Sequence, residues 1–177
     1  MAKSGLKVSR SHIRIRSYLL LLCSLGLILS LYAYYVEVVA EHNKSYKAMC
    51  DFSAKISCSK VFTSQYGRGF GLLQYIVGKD SVLNQPNSVF GIMFYIIQIV
   101  CAFIFTIDAA KIQVTTCIMA NCGSVYLAYI LYFVLEDFCV VCVSTYVVNA
   151  LLLFYAIKKR RLLSVPAVQV NGEKKDS

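Results

Sequence analysis

Four long apolar runs, separated by short polar segments, dominate the pattern of hydrophobic and polar positions along the chain. They occupy residues 17–36, 88–107, 112–135 and 138–157, and each is free of Asp, Glu, Lys and Arg. A helix needs about 20 apolar residues to cross the hydrocarbon core of a bilayer. The pattern therefore predicts an all-α membrane protein, a bundle of four transmembrane helices.

The composition agrees with this interpretation. Hydrophobic residues make up 58% of the 177-residue chain and charged residues 15%, whereas soluble domains have about half and about a quarter. The first apolar run exceeds the 7–15 residues of a signal-peptide core, and the following "YYVEVV" lacks a cleavage pattern. We therefore expect the first run to stay as a membrane span.

Basic residues concentrate in the two tails. Residues 1–16 contain five and no acid, and residues 158–177 contain six. Because basic flanks stay in the cytosol, we expect both tails there, around a catalytic membrane domain over residues 17–157. The loop 37–87 then forms a lumenal cap between the first two spans, and Asp108–Lys111 is a cytosolic connection. The net charge of +9 reflects this topology, so nothing favours nucleic acid as a partner.

Two short motifs concern location. Asn43-Lys44-Ser45 is an N-glycosylation sequon, and Lys174-Lys175 has the form of a cytosolic dilysine retrieval signal for the endoplasmic reticulum. An unused surface asparagine and a solvated basic tail explain the same residues equally well. Both motifs agree with the topology derived from charge, that of a multi-pass protein of the endoplasmic reticulum membrane whose loop 37–87 is lumenal.

Eight cysteines divide into two groups. Those within the first three spans are interpreted as packing residues: Cys23, Cys101, Cys117 and Cys122. The predicted topology gathers the other four on the lumenal side: Cys50 and Cys58 in the cap loop, and Cys139 and Cys142 as a C-x-x-C motif at the start of the fourth span.

The lumenal cysteines have three possible roles. Zinc is disfavoured because Cys50 and Cys58 are too far apart in sequence for the usual C-x2–4-C spacing, and we expect no metal site. Two structural disulfides stapling the loop are a stronger alternative. A redox pair is favoured because a helix N-terminus stabilises a thiolate, and a C-x-x-C dithiol suits exchange.

Helical spacing places a polar face below the dithiol. Cys139, Cys142, Tyr146 and Asn149 recur at the spacing of one helix face. Asn87 begins the second span at the same depth, either as a helix cap or as a ligand-binding residue. An apolar pocket with an amide and a phenol suits a lipid-soluble quinone. The residues thus predict a membrane dithiol oxidoreductase acting on a quinone-like compound.

The cap loop contains the segment "GRGFGLLQYIV", residues 67–77. Its glycines do not form a dinucleotide-binding motif, because no strand precedes them. The apolar residues that follow predict a short amphipathic segment at the membrane interface. We expect this segment to form a lid over the bundle.

The combination of "CDFSAKISC", "GRGFGLL", "LNQPNSVFG", "GSVYLAYILYFVL" and "DFCVVCVSTY" closely resembles the vitamin K epoxide reductase family over about residues 13–160. The resemblance implies reduction of vitamin K 2,3-epoxide to the quinone, and of the quinone to the hydroquinone used in gamma-carboxylation. It implies no bound cofactor, since vitamin K is the substrate and a dithiol the reductant. The motifs fit the reductase and its reductase-like paralogue equally.

The resemblance also implies roles for individual residues. Cys142 would attack the substrate and Cys139 would resolve the adduct, while Cys58 and Cys50 would relay electrons from lumenal thioredoxin-like proteins. Three further residues match substrate-binding positions, with hydrogen bonds from Asn87 and Tyr146 and ring packing by Phe62. The family binds 4-hydroxycoumarin inhibitors, including warfarin, in this pocket. Tyr66 departs from the family's usual Trp, so the resemblance does not extend to lid packing and inhibitor affinity at this position, whereas the chemistry does not depend on that ring.

Two alternatives of function stay open at the level of sequence. The same cysteines fit an oxidase that oxidises lumenal thiol proteins and passes the electrons to a quinone. They also fit a scaffold without enzymatic activity, in which disulfides staple the cap loop. Thiol trapping distinguishes them, because a scaffold keeps stable disulfides and an enzyme shows redox states that change with substrate.

The topology leads to a first prediction. In sealed vesicles with the cytosolic face outward, Cys50 should resist a membrane-impermeant thiol reagent until detergent is added, in protein reduced beforehand. Labelling of Cys50 in intact vesicles would contradict the predicted topology, in which both tails are cytosolic and the loop 37–87 is lumenal.

Overall fold

The protein is helical throughout most of its length. The computed structural model describes residues 2–43, 46–51, 56–78, 81 and 84–164. Within these ranges the α-helices are α1 (Ala2–His42), α2 (Cys58–Thr63), α3 (Leu73–Val77), α4 (Asn87–Phe103), α5 (Ile107–Tyr129) and α6 (Val140–Ser164). A 3-10 turn spans Gly69–Gly71, and α5 continues as a π-helical turn over Ile130–Val134. The described residues contain two isolated β-bridges and no strand, which confirms the mainly helical prediction.

Three helices are long and apolar enough to cross a membrane: Ser11–His42 within α1, Ile107–Val134, and Val140–Ser164. The apolar helix α4 has 17 residues, about 26 Å at helical rise against about 30 Å of hydrocarbon. The first, third and fourth predicted spans thus each have a helix of full length, and the second predicted span, residues 88–107, corresponds to the shorter helix α4. Residues 44–45 of the sequon and the dilysine at 174–175 lie outside the described residues.

The connection between the second and third predicted spans differs from expectation. Helix α4 ends at Phe103, four residues before the predicted boundary, and α5 begins at Ile107. The segment Asp108–Lys111, predicted as a loop, is therefore the first turn of α5. Thr106 causes this early start, because its hydroxyl accepts a hydrogen bond from the Ala109 N–H group at 3.3 Å. Asp108 adds a carboxylate near the positive end of the helix dipole.

Helix α1 packs against α4 and α6, and α5 packs against α6. Their buried residues form a common core that includes Leu19, Cys23, Cys117 and Leu152. Gly26 permits the close approach of α1 and α4, since a Cβ atom there would lie 2.1 Å from the Tyr95 ring. Cys23, Cys101 and Cys117 are buried, as expected for packing residues, whereas Cys122 is exposed.

Lys159 is fully buried near the end of α6 that leads into the C-terminal tail. Its ammonium group donates to the Cys101 carbonyl of α4 at 2.5 Å and to Gln113 Oε1 of α5 at 3.1 Å. It also lies 4.9 Å from the centre of the Phe105 ring. One side chain thereby joins α4, α5 and α6 by satisfying groups that would otherwise be buried without partners.

Replacement of Lys159 by alanine should lower the free energy of unfolding by about 2–4 kcal/mol, because it leaves a void and removes the partner of buried oxygens. Lys158→Ala is the matched control, since Lys158 is exposed and its loss should cost less than about 1 kcal/mol. Thermal unfolding of both variants in detergent micelles measures the difference. Equal stability of the two variants would contradict a structural role for Lys159.

Candidate active site

Two cysteine pairs meet where the loop after α1 contacts the start of α6. The Ser57 N–H group donates to the Phe138 carbonyl at 3.2 Å, and Ile56 and Phe138 form a parallel bridge. A disulfide joins Cys50 to Cys58. The bridge brings the two segments together, and just beyond it the Sγ atoms of Cys58 and Cys139 lie 3.6 Å apart.

Cys139 is a buried free thiol that directly precedes α6. Its sulfur accepts a hydrogen bond from the Cys142 N–H group at 3.2 Å, the bond that a capping side chain makes at a helix N-terminus. This position favours the thiolate form. Cys139 is thus not on the face of α6, as the helical spacing suggested, but ahead of it. It faces Cys58, while Cys142 lies one turn further along.

Asp51 holds the segment that contains the Cys50–Cys58 disulfide. Its carboxylate accepts hydrogen bonds from the Ala48 N–H group at 2.9 Å and from the Ser59 N–H group at 3.1 Å, and also from the Ser59 hydroxyl. Burial acts to raise the pKa of Asp51, but these hydrogen bonds outweigh it and lower the pKa overall. The sulfurs of Cys50 and Cys58 and a carboxylate oxygen of Asp51, three atoms of the kind that bind metal ions, lie within 4.8 Å of one another. In this state both sulfurs belong to the disulfide and cannot act as thiolate ligands.

A cavity of about 860 Å³ lies between the helices, adjacent to Cys142. Its wall is mainly apolar and contains four of the predicted site residues: Phe62, Asn87, Cys142 and Tyr146. The volume is that of a site for a small organic molecule. The structure therefore brings the predicted binding residues and one thiol of the C-x-x-C motif to a single cavity. The catalytic and binding roles of these residues remain predictions.

Asn87 does not cap α4, contrary to one of its two expected roles. It is the first residue of the helix, after Pro86, and its amide bonds to the cap loop instead. The Oδ1 atom accepts from the Phe70 N–H group at 2.8 Å, and Nδ2 donates to the Tyr66 carbonyl at 2.7 Å. An amide has one further N–H and one further lone pair. Asn87 thus anchors the loop and keeps hydrogen-bonding capacity for a ligand in the cavity.

The glycine loop, residues 67–71, forms part of the cavity wall. Gly69, Phe70 and Gly71 all have positive φ angles, of 52°, 57° and 72°. For Phe70 this conformation costs roughly 1–2 kcal/mol, so surrounding contacts must hold it. Its N–H group bonds to Asn87, and its ring lies 5.6 Å from the Phe90 ring. Sequence reasoning missed Phe70 as a cavity residue, although its position between two glycines was a signal.

A polar network lies deeper in the same cavity wall. Asn149 Oδ1 accepts a hydrogen bond from the Tyr95 hydroxyl at 2.8 Å, and Asn149 Nδ2 donates to the Ser124 hydroxyl at 3.0 Å. All three side chains are buried and line the cavity. Tyr95 and Ser124 were missed from sequence because an isolated tyrosine or serine in an apolar run carries no periodic signal.

The sequence is similar to proteins of a known family. A profile of the vitamin K epoxide reductase family matches residues 17–157. The chain is 47% identical over 140 residues to vitamin K epoxide reductase complex subunit 1 of Rattus norvegicus, covering 79% of this chain and 87% of that protein. It is 46% identical over 140 residues to the protein of the same name from Mus musculus, with the same coverage.

Apolar helices of membrane-spanning length, a disulfide in contact with a free thiol, and an apolar cavity beside a second thiol define a membrane thiol oxidoreductase. Within that class, the chain belongs to the vitamin K epoxide reductase family.

The contact between Cys58 and Cys139 generates a prediction about disulfide exchange. In a Cys50→Ser, Cys142→Ser double variant, each of the two sulfurs in contact lacks the partner that would resolve a mixed disulfide. A Cys58–Cys139 disulfide should then accumulate under mild oxidation, and peptide mass spectrometry without reductant detects it.

The matched control is Cys58→Ser, Cys142→Ser, which leaves Cys50 and Cys139 as the corresponding pair. We expect little cross-link there, because Cys58 rather than Cys50 touches Cys139. Equal cross-linking in both variants would contradict the specific contact.

Proposed function

We propose that this protein reduces vitamin K 2,3-epoxide to vitamin K quinone, and the quinone to the hydroquinone that supports gamma-carboxylation. The observation that carries the proposal is the juxtaposition of Cys142 with a largely apolar cavity of about 860 Å³. A naphthoquinone ring is apolar on its faces and has oxygen atoms at its edge, so it suits a wall with few polar groups. Membership of the family and the names of the two rodent relatives support the same substrate.

Cys142 is the proposed nucleophile because it is the cavity-lining thiol of the pair. Its thiolate attacks an epoxide carbon, so that a C–S bond forms and a C–O bond breaks. The resulting alkoxide takes up the proton that the thiol released. Cys139 then attacks the Cys142 sulfur, and the electron pair of the C–S bond returns to the ring, which expels the hydroxyl group as water. The balance is epoxide plus dithiol giving quinone, water and disulfide.

Quinone reduction uses the same pair with a simpler balance. The dithiol provides two electrons and two protons, and the products are hydroquinone and the Cys139–Cys142 disulfide. In the proposal, Asn87 and Tyr146 donate hydrogen bonds to the two oxygens as negative charge develops there, and Phe62 packs on the ring. A donor of this kind contributes about 3 kcal/mol to transition-state stabilisation in a dry site.

The electron supply is proposed to run along the row of sulfurs. A lumenal thioredoxin-like protein reduces the Cys50–Cys58 disulfide, and Cys58 then attacks Cys139 of the oxidised pair. The 3.6 Å separation of these two sulfurs supports this step, since disulfide exchange requires direct attack of one sulfur on another. The chain would act in the endoplasmic reticulum membrane, with cytosolic tails, and 4-hydroxycoumarins would compete for the cavity.

The scaffold without activity is disfavoured by the structure. A staple would require both cysteine pairs to form disulfides, whereas Cys139 and Cys142 are free thiols and Cys142 lines the cavity. The reverse reaction, oxidation of lumenal thiol proteins by a quinone, uses the same contacts. The redox poise of the compartment and the supply of reduced partner decide the net direction.

Membranes that contain the wild-type protein should convert vitamin K epoxide to the quinone with dithiothreitol as electron donor. Absence of turnover, with the protein folded and Cys139 and Cys142 reduced, would contradict the proposed function.

Cys58→Ser should abolish turnover driven by a thioredoxin-like protein and retain activity with dithiothreitol, which reaches the C-x-x-C pair directly. Full activity of Cys58→Ser with the protein donor would remove the loop pair from the relay.

The two thiols of the C-x-x-C motif should differ in their adducts. Cys139→Ser lacks the resolving thiol, so a covalent or charge-transfer adduct of Cys142 with the ring should persist and be seen by absorbance or intact mass. Cys142→Ser should give no adduct. An adduct in Cys142→Ser alone would mean that the two roles are reversed.

A further inference from the structure

Glu37 is a buried acid in the wall of the cavity, near the end of α1. Its side chain is 3% exposed. The Ser88 hydroxyl, from the first turn of α4, donates to Glu37 Oε2 at 3.2 Å. The other oxygen, Oε1, has no hydrogen-bond partner within the part of the chain that the structure describes. A carboxylate buried in this way is costly unless a cation stands close by.

Arg68 provides that cation from the glycine loop. Its Nε atom lies 3.7 Å from Glu37 Oε1, and a terminal nitrogen of the same guanidinium group pairs with Glu41. Glu37 and Glu41 are one helical turn apart on α1, so one arginine bridges both. The two pairs differ in environment, because the Glu41 side chain is 39% exposed. The buried pair should therefore contribute more than the exposed one.

The position of Arg68 links this ion pair to the shape of the cavity. Arg68 stands between Gly67 and Gly69, and the Gly67 carbonyl accepts from the Asn87 N–H group at 2.8 Å. Phe70 follows two residues later in its strained conformation and forms part of the wall. Ser88, which donates to the second oxygen of Glu37, follows Asn87 directly in the first turn of α4. Glu37 thus contacts both segments that the Asn87 side chain joins, the glycine loop and the start of α4.

We infer that Glu37 is a positioning residue for substrate binding: its carboxylate clamps the glycine loop to α1 through Arg68, and α1 to α4 through Ser88. The clamp keeps Phe70 and the Asn87 amide in the cavity wall. Loss of the charge loosens the loop, which the Asn87 hydrogen bonds still hold, while the thiols of the proposed mechanism stay where they are. The effect on binding rests on the proposed function, whereas the effect on the loop does not.

Glu37→Gln tests the clamp, because glutamine keeps an acceptor for Ser88 and removes the charge that pairs with Arg68. Glu41→Gln is the matched control on the same arginine. Hydrogen exchange of residues 67–73, measured by mass spectrometry in detergent, should be about tenfold faster in Glu37→Gln and within about twofold of wild type in Glu41→Gln. Unchanged exchange in Glu37→Gln would overturn the inference.

Kinetics with vitamin K epoxide and dithiothreitol supply the second measurement. Glu37→Gln should raise KM by about tenfold with kcat changed by less than about threefold, since the loop shapes the site and the thiols are untouched. Arg68→Gln should give the same change, and the double variant should be no worse than either single one. Additive effects of the two substitutions would contradict the clamp. A fall of both kcat and thermal stability without a change of KM would contradict it as well.

The two measurements separate this inference from the proposed function. If wild-type protein fails to reduce vitamin K epoxide while exchange in Glu37→Gln is accelerated as expected, the proposed function is wrong and the clamp stands. If wild-type protein is active and Glu37→Gln matches Glu41→Gln in exchange and in KM, the clamp is wrong and the proposed function stands.

Discussion

The hydrogen bond from the Ser57 N–H group to the Phe138 carbonyl fixes the register between the loop after α1 and the start of α6. This contact brings the two cysteine pairs together. Just beyond the Ile56–Phe138 bridge the segments enter α2 at Cys58 and α6 at Val140, and the sulfurs of Cys58 and Cys139 lie 3.6 Å apart at this junction. Loss of this contact between the two segments would break the proposed path of electrons between the cysteine pairs.

Around this contact lie a well-packed cluster of buried residues and a strained loop, the glycine loop. The buried residues beneath the loop, which include Val36, Cys58, Leu131 and Cys139, pack as one cluster. The glycine loop has three successive positive φ angles and depends on the Asn87 amide to hold them. Such strain persists only where neighbouring contacts over-determine it. The thiols therefore belong to the well-packed part, and the strained wall of the cavity lies on the side of Phe70.

Much of this arrangement was predictable from sequence. The apolar runs indicate the helices, and the charge of the tails together with the position of the cysteines brings the two pairs to one face. Other features depend on contacts between distant segments. Nothing local indicates that Asn87 would bond to Tyr66 and Phe70, which are 21 and 17 residues away in sequence. The early start of α5 was readable in principle, because Thr106 before Ile107 and Asp108 is a capping pattern, but the continuous apolar run obscured it. Glu37 borders the first run, and its pairing with Arg68 emerges only from the fold.

In the proposed mechanism, Cys139 and Cys142 alone transfer both electrons to the substrate. A single-turnover experiment tests it most directly: a Cys50→Ser, Cys58→Ser variant is reduced, freed of reductant and mixed with excess vitamin K epoxide. We expect one equivalent of quinone per chain, with formation of one Cys139–Cys142 disulfide found by peptide mass spectrometry. Formation of quinone while both thiols stay reduced, or no product from a fully reduced and folded variant, would contradict the account.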